Sequence, residues 1–253
     1  MRYVTGLRSI EEHLKKRELR GTLYFSTASK RAKEIIAAAE KLGGVTAVRV
    51  DGEEITRMAG FESHKGILLA VGEEGLEKGD PRARGSRRSE TLEELLERLR
   101  GHGVSIILVL DGITDPRNFG AILRSAEQFG ADGVILQEKH SPKLTAAVSQ
   151  SSAGAEAYLP IVRVVNLSRA VEALKDNEYW VYAADPLGVP LYDQDLTGKT
   201  AIVLGAEGTG VRPNVKNHCD GGVSIPMSRR LDSLNVSVAA GILLYEARRQ
   251  GNR

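Results

Sequence analysis

LDGITDPRNFGAILRSAEQFGADGVIL, residues 110–136, contains a strand end, a turn, a helix and a second strand. An apolar run, Ile106–Leu110, leads into it, and GVIL at 133–136 leads out. Between them Ile122, Leu123, Ala126 and Phe129 recur at the spacing of one helix face. Strand, helix, strand at this length means two parallel strands joined by a crossover helix. The middle is less ordinary. Asp115-Pro116-Arg117-Asn118 packs two charges, a proline and an amide into one turn, and Arg124 interrupts an apolar helix. Asn118 either caps the helix, which the spacing places at 119–129, or faces a ligand at its mouth. Arg124 lies off the apolar stripe, and helical side chains lean toward the amino end. It therefore reaches back toward Asn118, where it suits an oxyanion, or it makes a surface salt bridge.

The pattern continues on both sides. A helix at 91–100, capped by Ser89 or Thr91, precedes strand 105–110. After residue 136 come a helix near 143–152, a strand at 158–164, a helix at 167–175, strands YWVYAA and AIVLG, and a long helix from about 234 to 249. Alternation of this kind predicts a mostly parallel sheet covered by helices on both faces. Its ligands belong in the crevice at the carboxyl ends of the strands. Residues 73–91, rich in Gly, Pro, Ser and charge, read as a linker between residues 1–72 and residues 92–253. The first segment reads as a small α/β unit. It has a helix over Leu7, Ile10 and Leu14, a strand at 22–26, a helix at 29–42, and strands at 45–50 and 66–71. Its SHKGI turn sets His64 and Lys65 before a strand, as phosphate or base contacts or as plain loop polarity.

Composition limits the classes available. With 42% hydrophobic and 27% charged residues in 253, the chain can bury a core and reads as globular. No apolar run approaches the roughly 18 residues of a membrane span, and MRYVTGLRSIEEHLKK carries no secretory h-region. A lone cysteine, Cys219, forms no internal disulfide and reads as an inert side chain, so a cytoplasmic setting is expected. Net charge is only +2, so a nucleic acid would have to meet local basic clusters. Three exist: Lys15-Lys16-Arg17 with Arg20; Lys30-Arg31 with Lys33; and Arg82, Arg84, Arg87 and Arg88. Each is an RNA contact or a solvated surface.

Two more motifs follow strands. In AIVLGAEGTGVRP, 201–213, a buried strand runs into Gly205, Gly208 and Gly210, with Glu207 between them. Glycines let a backbone approach a ligand closely. Their order is not the G-x-G-x-x-G of a dinucleotide site, which disfavours a nicotinamide-dependent oxidoreductase. TGKT at 197–200 lacks the leading glycine of a P-loop. Glu207 repels phosphate and suits a neutral hydroxyl or a cation. In VSIPMSRRLDSLNVSVAAGILLYEARRQ, 223–250, a short strand ends at Ile225-Pro226-Met227, and Ser233 is placed to cap the last helix. Asn235 and Ser237 add polar groups to its first turn, and apolar Ile225, Met227 and Leu234 could enclose an adenine. That helix is apolar or small on most sides, which points to a subunit contact.

Together these residues resemble the SpoU-type branch of the SPOUT RNA methyltransferases, over about residues 105–250. They are Asn118, Gly120 and Arg124; Gly205, Glu207, Gly208 and Gly210; and Ile225, Pro226, Met227, Ser233, Leu234, Asn235 and Ser237. The amino-terminal segment is similar to the ribosomal-protein-like RNA-binding domain of bacterial large-subunit rRNA guanosine ribose methyltransferases. The resemblance implies an α/β fold: a methyltransferase domain with a mostly parallel sheet and a deep carboxy-terminal trefoil knot, plus a small α/β RNA-binding domain. It implies S-adenosylmethionine as cofactor, no metal, a homodimer built on the carboxy-terminal domain, and transfer of methyl to a ribose 2′-hydroxyl. Arg124, Asn118, Glu207, Ser233 and Asn235 would be catalytic. Leu204, Gly205, Ala206, Gly210, Ile225, Met227 and Leu234 would hold the cofactor, and His64, Lys65, Arg117 and Arg124 would touch RNA. Ser228-Arg229-Arg230 stands where the family commonly has glycine. The leading substrate is 23S rRNA. A tRNA ribose methyltransferase and a non-catalytic RNA-binding or ribosome-assembly factor are the alternatives.

Overall fold

The computed structural model describes residues 2–15, 19–26, 29–59, 64, 66–71, 90–139, 141–228 and 233–251. The chain forms two compact units.

The first unit comprises residues 1–88 together with 143–158. Its sheet has four strands: β1 (Arg2–Thr5), β2 (Gly21–Phe25), β3 (Val45–Arg49) and β4 (Ile67–Val71), in the order β1-β4-β2-β3. β2 and β3 are parallel, and β4 is antiparallel to both β1 and β2. Helices α1 (Leu7–Leu14), α2 (Lys30–Lys41) and α3 (Gly52–Ala59) accompany it. Ser29 caps α2, its hydroxyl accepting from the Ala32 amide at 3.2 Å. The core gathers Val4, Ile10, Leu23, Ala32, Ile35, Ala39, Ile67 and Leu69. β1 and α3 go beyond the sequence expectation. β1 has four residues, too few to show a period, and α3 buries only Ile55.

Residues 143–158 were expected with the second unit, and they pack within the first. They carry α6 (Ala146–Ser152) and a short 3₁₀ turn, Ala155–Ala157. The buried Thr5 hydroxyl donates to the Ala146 carbonyl at 3.0 Å, and the Tyr158 hydroxyl donates to Glu12. Lys65, the residues of the 73–91 linker other than Glu90 and Thr91, and the Arg82–Arg88 cluster lie outside the described residues.

The second unit comprises residues 89–142 and 159–253. α4 (Leu92–Arg98) begins at Thr91 with a reciprocal capping box to Glu94. Six strands follow: β5 (Ser105–Asp111), β6 (Gly133–Gln137), β7 (Ile161–Val164), β8 (Trp180–Pro190), β9 (Lys199–Gly205) and β10 (Gly221–Ser224). The order is β10-β8-β9-β5-β6-β7, and every pairing is parallel. β5 is buried at all seven positions, as a central parallel strand covered on both faces must be. Helices α5 (Pro116–Gln128), α7 (Leu167–Asp176), α8 (Pro213–Lys216) and α9 (Val236–Gly251) complete the unit, and α9 packs on α5, β5 and β9. On α5 the fully buried aromatic is Phe119, not Phe129. Phe129 ends the helix and meets Tyr245 edge-on at 6.0 Å between ring centres.

The strand order locates the site. From β5 the chain moves outward through β6 and β7, and its later strands lie on the other side, with β9 beside β5. The order reverses between β5 and β9, which makes the crevice at their carboxyl ends the place for a ligand. Asp111 and Gly205, the last residues of these strands, are paired across the ladder. The chain after them leads to Asn118, in the first turn of α5, and to Glu207.

Candidate active site

The first loop is set by Asp115. Its carboxylate accepts from the amides of Arg117 (2.9 Å) and Asn118 (2.8 Å), and Pro116 takes the first helical position. Asp115 is therefore the cap, and α5 starts three residues earlier than expected. Asn118 lies inside the first turn, which frees its carboxamide from capping.

The second loop is a closed turn. The Gly210 amide donates to the Ala206 carbonyl at 2.9 Å, and these two residues form an isolated antiparallel bridge. Gly208 and Gly210 have φ of +82° and +67°, a region that side chains disfavour. Gly205 is needed for another reason. A Cβ there would lie 1.9 Å from the carbonyl carbon of Gly210. The turn projects Glu207 from its exposed tip.

The third loop precedes α9. Here Asn235, not Ser233, makes the capping contacts: its Oδ1 accepts from the Ser237 amide (2.9 Å) and hydroxyl (2.6 Å). Ser233 is exposed and makes no capping contact among the described residues.

The three loops meet in one hydrogen-bonded triangle. Asn118 Nδ2 donates to Glu207 Oε1 at 3.1 Å, and Asn235 Nδ2 donates to the same oxygen at 2.8 Å. Asn235 Nδ2 also faces Asn118 Oδ1 at 3.0 Å. The residues are up to 117 positions apart in sequence, and nothing local brings them together. The Glu207 carboxylate has no cation against it among the described residues. It offers a negative, hydrogen-bonded surface suited to a hydroxyl or a cation. Arg124 is exposed on α5 and pairs with no carboxylate among the described residues, so its guanidinium is available to an oxyanion.

The remaining expected residues divide. Leu204 is buried, Ala206, Ile225 and Leu234 are half-buried, and Met227 is exposed. Ile225 directly follows β10, and Leu234 directly precedes Asn235. Arg117 is exposed. His64, expected to face RNA, is buried: its Nδ1 accepts from the Gly66 amide at 3.0 Å, and its Nε2 meets the Thr56 hydroxyl at 2.9 Å. Thr56 already donates to the Gly52 carbonyl, so Nε2 is the donor to it. Both ring nitrogens of His64 are thus engaged by Thr56 and Gly66. Arg229 and Arg230 lie outside the described residues. Cys219 is half-buried, and burial pushes its thiol up to about 11, which makes it a poor nucleophile.

Two residues that the sequence reading passed over stand at the base of the site: Asp111, the buried end of β5, and Arg212, which caps α8. The available signal was an acid closing an otherwise apolar strand.

An all-parallel sheet with three polar loops converging at its switch point defines a ligand-binding α/β enzyme core of the class that works at strand ends. The SpoU rRNA methylase family model matches residues 105–245, and a model for RNA 2′-O ribose methyltransferase substrate binding matches residues 3–74. The chain belongs to the SpoU rRNA methylase family, and it is an S-adenosylmethionine-dependent RNA 2′-O-methyltransferase. It is 36% identical to the 23S rRNA (guanosine-2′-O-)-methyltransferase RlmB of Ralstonia nicotianae, over 90% of this chain and 87% of that one. Identity to the RlmB of Pseudomonas syringae pv. tomato is 48%, over 63% of each chain. Among solved structures, the SpoU methyltransferase AviRb from Streptomyces viridochromogenes, in complex with AdoMet, matches with a TM-score of 0.74 and 25% identity. That match covers 98% of this chain and 89% of AviRb.

Proposed function

We propose that this enzyme transfers the methyl group of S-adenosylmethionine to the ribose 2′-hydroxyl of a guanosine in 23S rRNA. The triangle of Asn118, Glu207 and Asn235 carries the reading, with Arg124, which pairs with no carboxylate among the described residues, on the same helix as Asn118. The RlmB relatives support the choice of 23S rRNA and guanosine.

The residues present fit the cofactor. Gly208 and Gly210 have nothing within 4 Å of where a Cβ would stand, so their backbone is open to a ligand. Exposed Met227 and half-buried Ile225 and Leu234 offer apolar surface to an adenine, and Glu207 offers a carboxylate to a sulfonium. Leu204, Gly205, Ala206, Gly210, Ile225, Met227 and Leu234 would hold the cofactor. When bound, it supplies a methyl group already activated by the positive sulfur.

The protein then has two tasks. It must hold the ribose hydroxyl in line with that methyl, and it must provide for the hydroxyl proton as the new bond forms. Glu207, with one oxygen engaged by both asparagines, has its other oxygen for orienting the ribose. A guanidinium is not a base at neutral pH, so Arg124 does not take the hydroxyl proton. It acts by holding the substrate's phosphate or hydroxyl oxygen, and a phosphate oxygen takes the proton. Arg117 and the amino-terminal unit contribute to RNA binding.

A homodimer is part of this reading. Val238, Ile242 and Tyr245 are 50%, 36% and 56% exposed and lie at i, i+4 and i+7 on α9, an apolar stripe that a second copy would cover. Sedimentation at the mass of a monomer would contradict it. The knot expected at the carboxyl end belongs here too. So does a cytoplasmic setting, where the proposed substrate resides. Among the described residues no helix is long and apolar enough to cross a membrane.

The test is Arg124→Ala. Single-turnover methylation of unmodified 23S rRNA should fall by about 100-fold or more, as for loss of a positioned charged group. Affinity for S-adenosylmethionine, measured by calorimetry, should stay within a few-fold. Near-normal turnover would overturn the assignment.

A further inference from the structure

At the base of the glycine turn a buried acid is joined to a half-exposed arginine. Asp111 ends β5 with its side chain fully buried. Its Oδ2 accepts from the Arg212 main-chain amide at 2.8 Å, and its Oδ1 accepts from Arg212 Nε at 2.7 Å. Arg212 Nη2 lies 2.5 Å from the same Oδ1 and also donates to Gln137 Oε1, at 2.9 Å. One residue thus ties together the ends of β5 and β6 and the exit of the loop after β9. We propose that Arg212, held by Asp111, is a positioning residue for methyl transfer: it sets the Glu207 turn in register with Asn118 and Asn235. This rests on the role given to Glu207 above.

The covalent path makes the coupling direct. Asp111 is followed by Gly112, with φ of +76°, and then by the loop to Asn118. Arg212 follows Val211, whose amide nitrogen stands in the cradle that excludes a Cβ from Gly205. The turn from Ala206 to Gly210 closes on itself through its own bridge, so its internal shape does not need Arg212. What the bridge does not fix is the placement of the whole turn against the loop after β5. The Asp111–Arg212 contacts join those two loops at their bases, and the triangle joins them at their tips. Without the Asp111–Arg212 contacts the turn is still anchored at its entry by the Asp111–Gly205 ladder pair, but its exit loses this tie to β5 and β6, and the alignment of Glu207 falls to the two neutral carboxamides. A lysine at 212 would keep the charge and the main-chain bond but lacks the forked geometry that meets Asp111 and Gln137 together.

The experiment is a double-mutant cycle in the full-length protein, read as the single-turnover methylation rate of in vitro transcribed 23S rRNA at saturating S-adenosylmethionine. Arg212→Ala should lower the rate by about 10- to 100-fold, the scale for sub-ångström to ångström misplacement. In a Glu207→Ala background the same change should cost less than about threefold, because the group it positions is gone. Arg212→Lys should fall between Arg212→Ala and the parent. Thermal unfolding checks that each variant is folded. If Arg212→Ala does not fold, Arg212→Lys is carried through the same cycle. Losses that multiply, or a parent-like rate for Arg212→Ala, would overturn the proposal. A parent-like rate for Glu207→Ala would overturn both the proposal and the reading of the site.

Discussion

Asn235 serves two ends through one carboxamide. Its oxygen caps α9 through Ser237, and its nitrogen joins Glu207 to Asn118. The two uses can be separated. Asn235→Asp keeps the capping oxygen but turns a carboxylate toward Glu207, and like charges at this distance repel. It should preserve most of the thermal stability and lower the methylation rate by at least about tenfold. Asn235→Ala should lose both, with about 1 kcal/mol of stability going with the cap, measurable by urea denaturation. Equal rates for Asn235→Asp and the parent would contradict the triangle. The sequence singled out Asn118, Glu207 and Asn235 as polar residues close after a strand or before a helix. Which of them caps a helix was not legible. Asp115 and Asn118 are both able caps, as are Ser233 and Asn235. Proline at the first helical position decides the first case, and the three-dimensional partner of Asn235 decides the second.

Elements were legible where a period or an unbroken apolar run was long enough to show. β5, α5, β9 and α9 carry long runs of this sort, and they fall within a few residues of expectation. β8 is longer than YWVYAA because Val189 and Pro190 rejoin β10 after a register break, which places residues 184–188 outside the ladder. No local pattern announces a strand that leaves and re-enters its pairing. The glycine turn allows a contrast between two substitutions. Gly205→Ala places a methyl 1.9 Å from the Gly210 backbone and must open the turn. Gly208→Ala meets nothing within 4 Å and strains only its own φ of +82°. Calorimetry should show Gly205→Ala without measurable S-adenosylmethionine binding. Gly208→Ala should bind within about tenfold of the parent, since the strain is on the order of 1–2 kcal/mol. Similar affinities for the two would contradict the view that close backbone approach, rather than backbone freedom alone, builds the turn.

The charged, glycine-rich segment at 73–91 suggested a two-part chain, but the grouping of residues 143–158 with the first unit was not legible. Thr5 and Ala146 are 141 positions apart, and a helix such as α6 presents the same apolar spacing whichever unit receives it. The strand order was equally hidden. Alternating strands and helices specify a parallel sheet, yet the adjacency of β5 and β9, which puts Asn118 beside Glu207, depends on packing across about ninety residues. The central claim concerns the whole molecule, a protein that brings one ribose hydroxyl of 23S rRNA to S-adenosylmethionine. Its most direct test is incubation with methyl-labelled S-adenosylmethionine and total RNA from a strain lacking the gene, followed by mapping of 2′-O-methyl positions. The account predicts label on the ribose of a single guanosine in 23S rRNA. Label confined to tRNA, label on a base, or no transfer to any RNA would contradict it.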